Sequence, residues 1–173
     1  MEKLIDRFSS FNIFTNLFPG IVFCFMAKSL YDIQLLQEDL LVGLFVYYFV
    51  GMIISRIGSI LVEPILEATK FISYPKYSDF LIASKSDPKI NLLLETNNSY
   101  RSVIALIFCI GLTAIWKQLL LANSNFEYFS VYIIVIALFF LFLFAYKKQT
   151  RYIKKRVEMQ AYELQTKDDS KNS

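Results

Sequence analysis

Residues 128–146 contain no charged side chain, and the run Phe139-Phe140-Leu141-Phe142-Leu143-Phe144 lies inside them. A helix of that length rises 1.5 Å per residue and covers the roughly 30 Å of hydrocarbon in a bilayer. Lipid offers no partner to an exposed backbone N–H or C=O, so a spanning segment must satisfy its own, which an α-helix does. A chain built around such a run is committed to the membrane. Composition agrees, with 55% hydrophobic, 17% aromatic and only 19% charged residues and a mean hydropathy of +0.45. These values exclude a soluble enzyme and a disordered tail and point to a multi-span membrane protein.

Three further stretches meet the length test. Residues 40–62 are apolar apart from Ser55, Arg56 and Ser59, and residues 102–122 are uncharged up to Trp116, where Lys117 and Gln118 follow. Residues 11–30 form the weakest candidate, because they carry Asn12, Thr15, Asn16 and a Pro19-Gly20 pair. The expected fold class is all-α: an integral membrane four-helix bundle with a small helical cytoplasmic loop region and a helical C-terminal extension. Lys3 and Arg7 precede the first span as they would in a signal peptide, but Met26-Ala27-Lys28-Ser29 is a poor cleavage site. The span is therefore read as a retained anchor.

The chain divides accordingly into a cytoplasmic N-terminus (1–10), two spans (11–62), a cytoplasmic loop (63–101), two more spans (102–146) and a basic helical extension with a disordered end (147–173). With both termini cytoplasmic, every Lys and Arg except Lys28 and Lys117 falls inside, as the positive-inside rule requires for loops this short. The expected location is the bacterial inner membrane. Trp116 beside Lys117 suits the outer interface, with the indole at headgroup level and the ammonium in water.

Within the loop, Leu61, Ile65 and Leu66 continue the apolar face of the second span past Pro64, whose freed carbonyl a packed neighbour can satisfy. Tyr74-Pro75 marks a turn. Ser78 or Asp79 caps a short helix reaching Ser84, and Asp87-Pro88 opens another. That second helix either runs into the third span through residues 96–100 or breaks there. In the extension, Ile153, Val157, Ala161 and Leu164 form one apolar stripe, opposite Lys147, Arg151, Lys155 and Glu158. From Lys167 the sequence is polar and reads as disordered.

Arg56 is the most informative side chain. Its charge inside a span has two readings: snorkelling to the cytoplasmic headgroups, or a buried pairing with Glu63, seven residues on and so on the same helix face. Glu95 and Glu67 are rival partners. The pairing with Glu63 is the expectation carried forward, as a cluster that latches the loop to the membrane domain.

Gly51, Ser55 and Ser59 recur every four residues, with Gly58 adjacent, and small residues at that spacing let helices approach closely. They serve either packing against the first or fourth span or a homo-oligomer seam, and the seam is the expectation to test. In the first span Phe8, Phe11, Phe14 and Phe18 share one face and Ser9, Asn12, Thr15 and Asn16 another. This is either an interfacial amphipathic helix or a kinked span, the latter preferred, and in both Pro19-Gly20 is the hinge. The cluster Lys147, Lys148, Arg151, Lys154, Lys155 and Arg156 reads as lipid-facing, holding anionic headgroups and fixing topology. Nucleic-acid binding is not expected, since it would need aromatic residues interleaved on a fold this chain lacks.

Catalytic, cofactor-binding and metal-ligating residues are all expected to be absent. There is no histidine, Cys24 and Cys109 sit inside apolar runs, and neither a Walker loop, a Gly-x-Ser-x-Gly motif nor a carboxylate cluster at ligand spacing occurs. No acid lies inside a span, which disfavours proton-coupled transport. The polar residues of the spans form no stripe through the membrane, which disfavours a standing pore.

Ser55-Arg56-Ile57-Gly58-Ser59 followed by Glu63-Pro64, with Glu95-Thr96-Asn97-Asn98-Ser99-Tyr100-Arg101 before the next span, resembles small uncharacterised bacterial membrane proteins associated with mobile phage-defence regions. The four-span plan is also similar to the membrane effectors of retron and cyclic-oligonucleotide defence operons. The resemblance covers the plan and carries no ligand-binding residue over. It implies an effector that oligomerises and breaches the bilayer when a cytoplasmic protein partner triggers it. The alternative is an anchor or scaffold subunit that presents its loop and tail to a soluble protein; a lipid-active enzyme would need chemistry the sequence does not supply.

Overall fold

The computed structural model describes residues 13–122 and 124–169. The sequence expectations for residues 1–10, for Phe8, Ser9, Phe11 and Asn12, and for residues 170–173 lie outside the described residues. Among the described residues all regular structure is helical. A π-helical turn, Ile13–Leu17, leads into α1 (Phe18–Tyr31). Helix α2 (Leu40–Ile57) begins at Asp39, whose carboxylate accepts the Val42 N–H at 2.9 Å. It continues through a second π-helical turn, Gly58–Val62, into α3 (Glu63–Ala68). Helix α4 (Tyr77–Ser86) is short, and α5 (Lys89–Ala122) and α6 (Ser124–Asp169) are long.

Among the described residues three helical stretches are long and apolar enough to cross a membrane: Leu40–Ala68, Lys89–Ala122 and Phe129–Gln160. The first expected span is not among them. Helix α1 has 14 residues, roughly 21 Å at 1.5 Å per residue, and the turn before it carries Thr15 and Asn16.

Both π-helical turns end two residues before a proline, Pro19 in one case and Pro64 in the other. In an α-helix the proline ring collides with the carbonyl four residues back. Widening the preceding turn to the i→i+5 pattern relieves that collision without breaking the helix. Helix α1 is continuous through Pro19 and Gly20, and the irregularity expected at that pair lies one turn earlier.

Gly20 is instead a contact point. A Cβ on Gly20 would sit 1.8 Å from the Tyr47 carbonyl oxygen, and one on Gly51 would sit 1.6 Å from the Asn16 carbonyl oxygen. Helices α1 and α2 thus cross backbone against backbone. Ser55 and Ser59 are buried on the same side of α2, and a Cβ at Gly58 would press on Ala105 and Arg101 of α5. The small-residue face therefore packs within the protomer, against α1 and α5, which is the first of the two uses the spacing allowed.

The directions follow from the pairings. Asn16 and Gly20 lie against Gly51 and Tyr47, Arg101 lies against Glu63 and Gly58, and Phe142 and Lys148 lie against Phe49 and Ser59. Successive long elements therefore run antiparallel, and α6 runs parallel to α2. The core between α1, α2 and α5 is Ile54, Val62, Ala105, Leu106 and Cys109, with Val22, Phe23, Val50 and Ile110 packed around it. Helix α6 hardly enters this core: none of its most apolar stretch is buried, against 22% for Leu40–Ala68.

At one end Tyr31 ties α1 to α5, its hydroxyl donating to the Ile110 carbonyl at 3.2 Å and its carbonyl accepting from the Lys117 ammonium. Asp32, in the left-handed region at φ 55°, closes α1, and its carboxyl is held below the usual range by the hydrogen-bonded Lys28 ammonium and more weakly by Lys117. At the other end Asp87 accepts the Lys89 N–H at 2.9 Å and starts α5, which continues through residues 96–100 without a break. Ser78 and Asp79 do not cap α4; they lie in its first turn, bonded to each other, and Lys76 occupies the cap position.

Candidate functional site

At the end of the helices that carries α3 and α4, three elements bring charges together. Glu63 is the first residue of α3 and is 8% exposed. Its carboxylate accepts from the Arg101 guanidinium of α5 and, at 2.8 Å, from the Lys148 ammonium of α6. Lys148 also donates to the Ser59 carbonyl at 2.7 Å and to the Ser59 hydroxyl at 2.9 Å. All three ammonium donors are thereby engaged.

The Ser59 carbonyl has a specific reason to be free. The Glu63 N–H bonds to the Gly58 carbonyl, five residues back. The same pattern would assign the Ser59 carbonyl to residue 64, and proline has no N–H to give. Lys148 fills that vacancy from a different helix. The π turn, the proline and the lysine form one unit.

Arg56 is not part of it. Among the described residues it has no ion-pair partner, and Glu63 belongs to Arg101 and Lys148. The i,i+7 argument assumes an unbroken α-helix, whereas the intervening π turn adds about one residue and rotates Glu63 by roughly a quarter turn. Neither rival replaces it: among the described residues Glu67 and Glu95, both exposed, make no ion pair with Arg56. Arg56 instead lines a small cleft between α2 and α6 with Ser59, Ile60, Ala145, Lys148, Gln149 and Tyr152.

Lys148 is likewise misplaced in the lipid-facing cluster: its side chain turns inward, while Lys147, Arg151, Lys154, Lys155 and Arg156 are exposed. Lys154 makes only an exposed 3.7 Å pair with Glu158. The Glu63–Arg101–Lys148 cluster was legible in part. Each residue stands at the same end of an apolar run, so charges of both signs fall at one membrane depth on three helices.

The connection is docked as well. The Asn97 amide donates to the Tyr74 hydroxyl at 2.7 Å, and the Tyr77 and Tyr152 rings lie 5.7 Å apart, fastening α4 to α6. Cys24 and Cys109 are free thiols buried among apolar neighbours. No group of three His, Cys, Asp or Glu side chains suited to a metal ion occurs among the described residues.

Comparison with protein-family models, with curated proteins and with solved structures returns no match.

Proposed function

We propose that this chain is a non-enzymatic protein of the bacterial inner membrane in which α1 and the turn before it act as a short fourth span beside the three long ones, with both termini cytoplasmic, and that it anchors a soluble partner through its loop and tail. The observation that carries the reading is the length of α6. Its 46 residues extend about 69 Å, more than twice the ~30 Å of hydrocarbon. The remainder projects as a stalk with Ile153 and Val157 exposed, and α4 is fastened to its base. The distribution of Lys and Arg supports a cytoplasmic stalk. Absence of histidine and of any catalytic motif in the sequence supports a non-enzymatic role. A photo-crosslinker at Val157 should give a discrete protein adduct in native membranes and one at Phe139 should not; lipid adducts alone at Val157 would remove the anchor reading.

A second reading is the triggered effector. The apolar stretch of α6 is unburied, and the Phe49–Phe142 stack, the Glu63 cluster and the Tyr77–Tyr152 contact are among the ties that hold the helix, so it is the element a trigger would displace. Depolarisation on overexpression, abolished by fixing α6 to α2, would favour it over the anchor.

A further inference from the structure

We propose that the cleft lined by Arg56, Ser59, Lys148, Gln149 and Tyr152 binds one phosphate group. The cleft measures about 40 Å³, which is room for about three waters or the oxygens of a single phosphate. Its charge is one-sided. Its lining holds two cations, Arg56 and Lys148, and no carboxylate; Lys148 reaches out of it to Glu63, and Arg56 is left without a counter-ion among the described residues. Glu67 is exposed on α3 and does not line the cleft.

Arg56 supplies the recognition. It is half-buried, and among the described residues nothing accepts from it. A guanidinium presents a planar fork of donors that matches two phosphate oxygens, and leaving it partly desolvated without an acceptor is costly. Lys148 contributes charge rather than donors, because its three are engaged. Gln149 and Tyr152 form the exposed rim, and their side chains make no hydrogen bond among the described residues, leaving an amide and a phenol to close over the anion.

The phosphate can come from an anionic lipid headgroup or from a soluble phosphate. The proposed membrane orientation favours the headgroup, since the uncharged run ends at Tyr146 and puts Lys148 at headgroup depth. The site itself does not depend on that orientation.

The test uses the full chain in a neutral maltoside detergent, with native mass spectrometry against phosphatidylglycerol and phosphatidylcholine. Wild type should retain one phosphatidylglycerol, and Arg56→Gln should bind it about tenfold more weakly. Lys154→Gln, outside the cleft, should match wild type. Arg56→Lys keeps the charge and loses the fork, so a several-fold weakening is expected there even if Arg56→Gln does not fold. Displacement of the lipid by millimolar inorganic phosphate would identify a soluble source, and its retention a headgroup. Equal phosphatidylglycerol binding by wild type, Arg56→Lys and Arg56→Gln would overturn the site. Failure of the membrane reading would show separately, as loss of the protein from the membrane fraction.

Discussion

The Lys148 ammonium donates at 2.7 Å to the Ser59 carbonyl, the acceptor that Pro64 leaves without a backbone donor. A side chain on α6 thus repairs a defect in α2, and the two helices are joined at a point fixed by a proline.

This predicts coupling between Lys148 and Pro64. Lys148→Met removes the donor to Ser59 and one partner of Glu63, and should cost about 1–3 kcal/mol. Pro64→Ala restores a backbone N–H, so the same Lys148→Met should cost less in that background. Unfolding by SDS titration of the four variants reads the coupling directly. Additive effects would show that the carbonyl is satisfied some other way.

Glu63→Gln leaves Arg101 and Lys148 without their counter-ion and should lower stability, by less than the roughly 3–5 kcal/mol of a fully buried pair because the Arg101 and Lys148 side chains are 19% and 26% exposed. The exchange Glu63→Arg with Arg101→Glu should recover part of it. Exchange with Arg56 should recover none, because Arg56 does not face Glu63. Membrane accumulation followed by fluorescence-detected gel filtration compares the pairs.

The α1–α2 crossing sorts the glycines. Gly20→Ala and Gly51→Ala place a methyl within 2 Å of a carbonyl oxygen, and each should destabilise by at least about 1–3 kcal/mol as the helices are forced apart. Gly111→Ala meets nothing within 4 Å and should be neutral or stabilise by up to ~1 kcal/mol through helix propensity. Ser55→Leu should resemble the first pair, since Ser55 is 6% exposed inside the protomer. Thermal denaturation in one detergent ranks all four.

Reporter fusions should place Ser86 and Asp169 in the cytoplasm and Asp32 and Asn125 outside. A cytoplasmic Asn125 would rule out four spans with this orientation.

Cys24 and Cys109 are 0% and 7% exposed. A membrane-impermeant maleimide should label neither in folded protein and both after SDS, as read by a gel shift. Labelling of Cys24 before denaturation would mean that α1 leaves its seat on α2 and α5.

The all-helical class and the three long apolar helices were legible in the sequence because a spanning helix satisfies its own backbone, so its signal is local. The Asp87 start of α5 and the passage of the second span beyond Pro64 were legible for the same reason, since a cap and a proline act within one turn. Partnerships were not. Sequence spacing assigned Glu63 to Arg56 and put Lys148 among headgroups, because periodicity presumes an unbroken α-helix and cannot see a neighbouring one. The small-residue stripe showed that something approaches Gly51 closely, and only the packed structure identified it as Asn16 and Gly20 of the same chain. Tertiary contact made these choices: a π turn that rotates Glu63 away from Arg56, and a lysine 89 residues distant that accepts the role of a missing N–H.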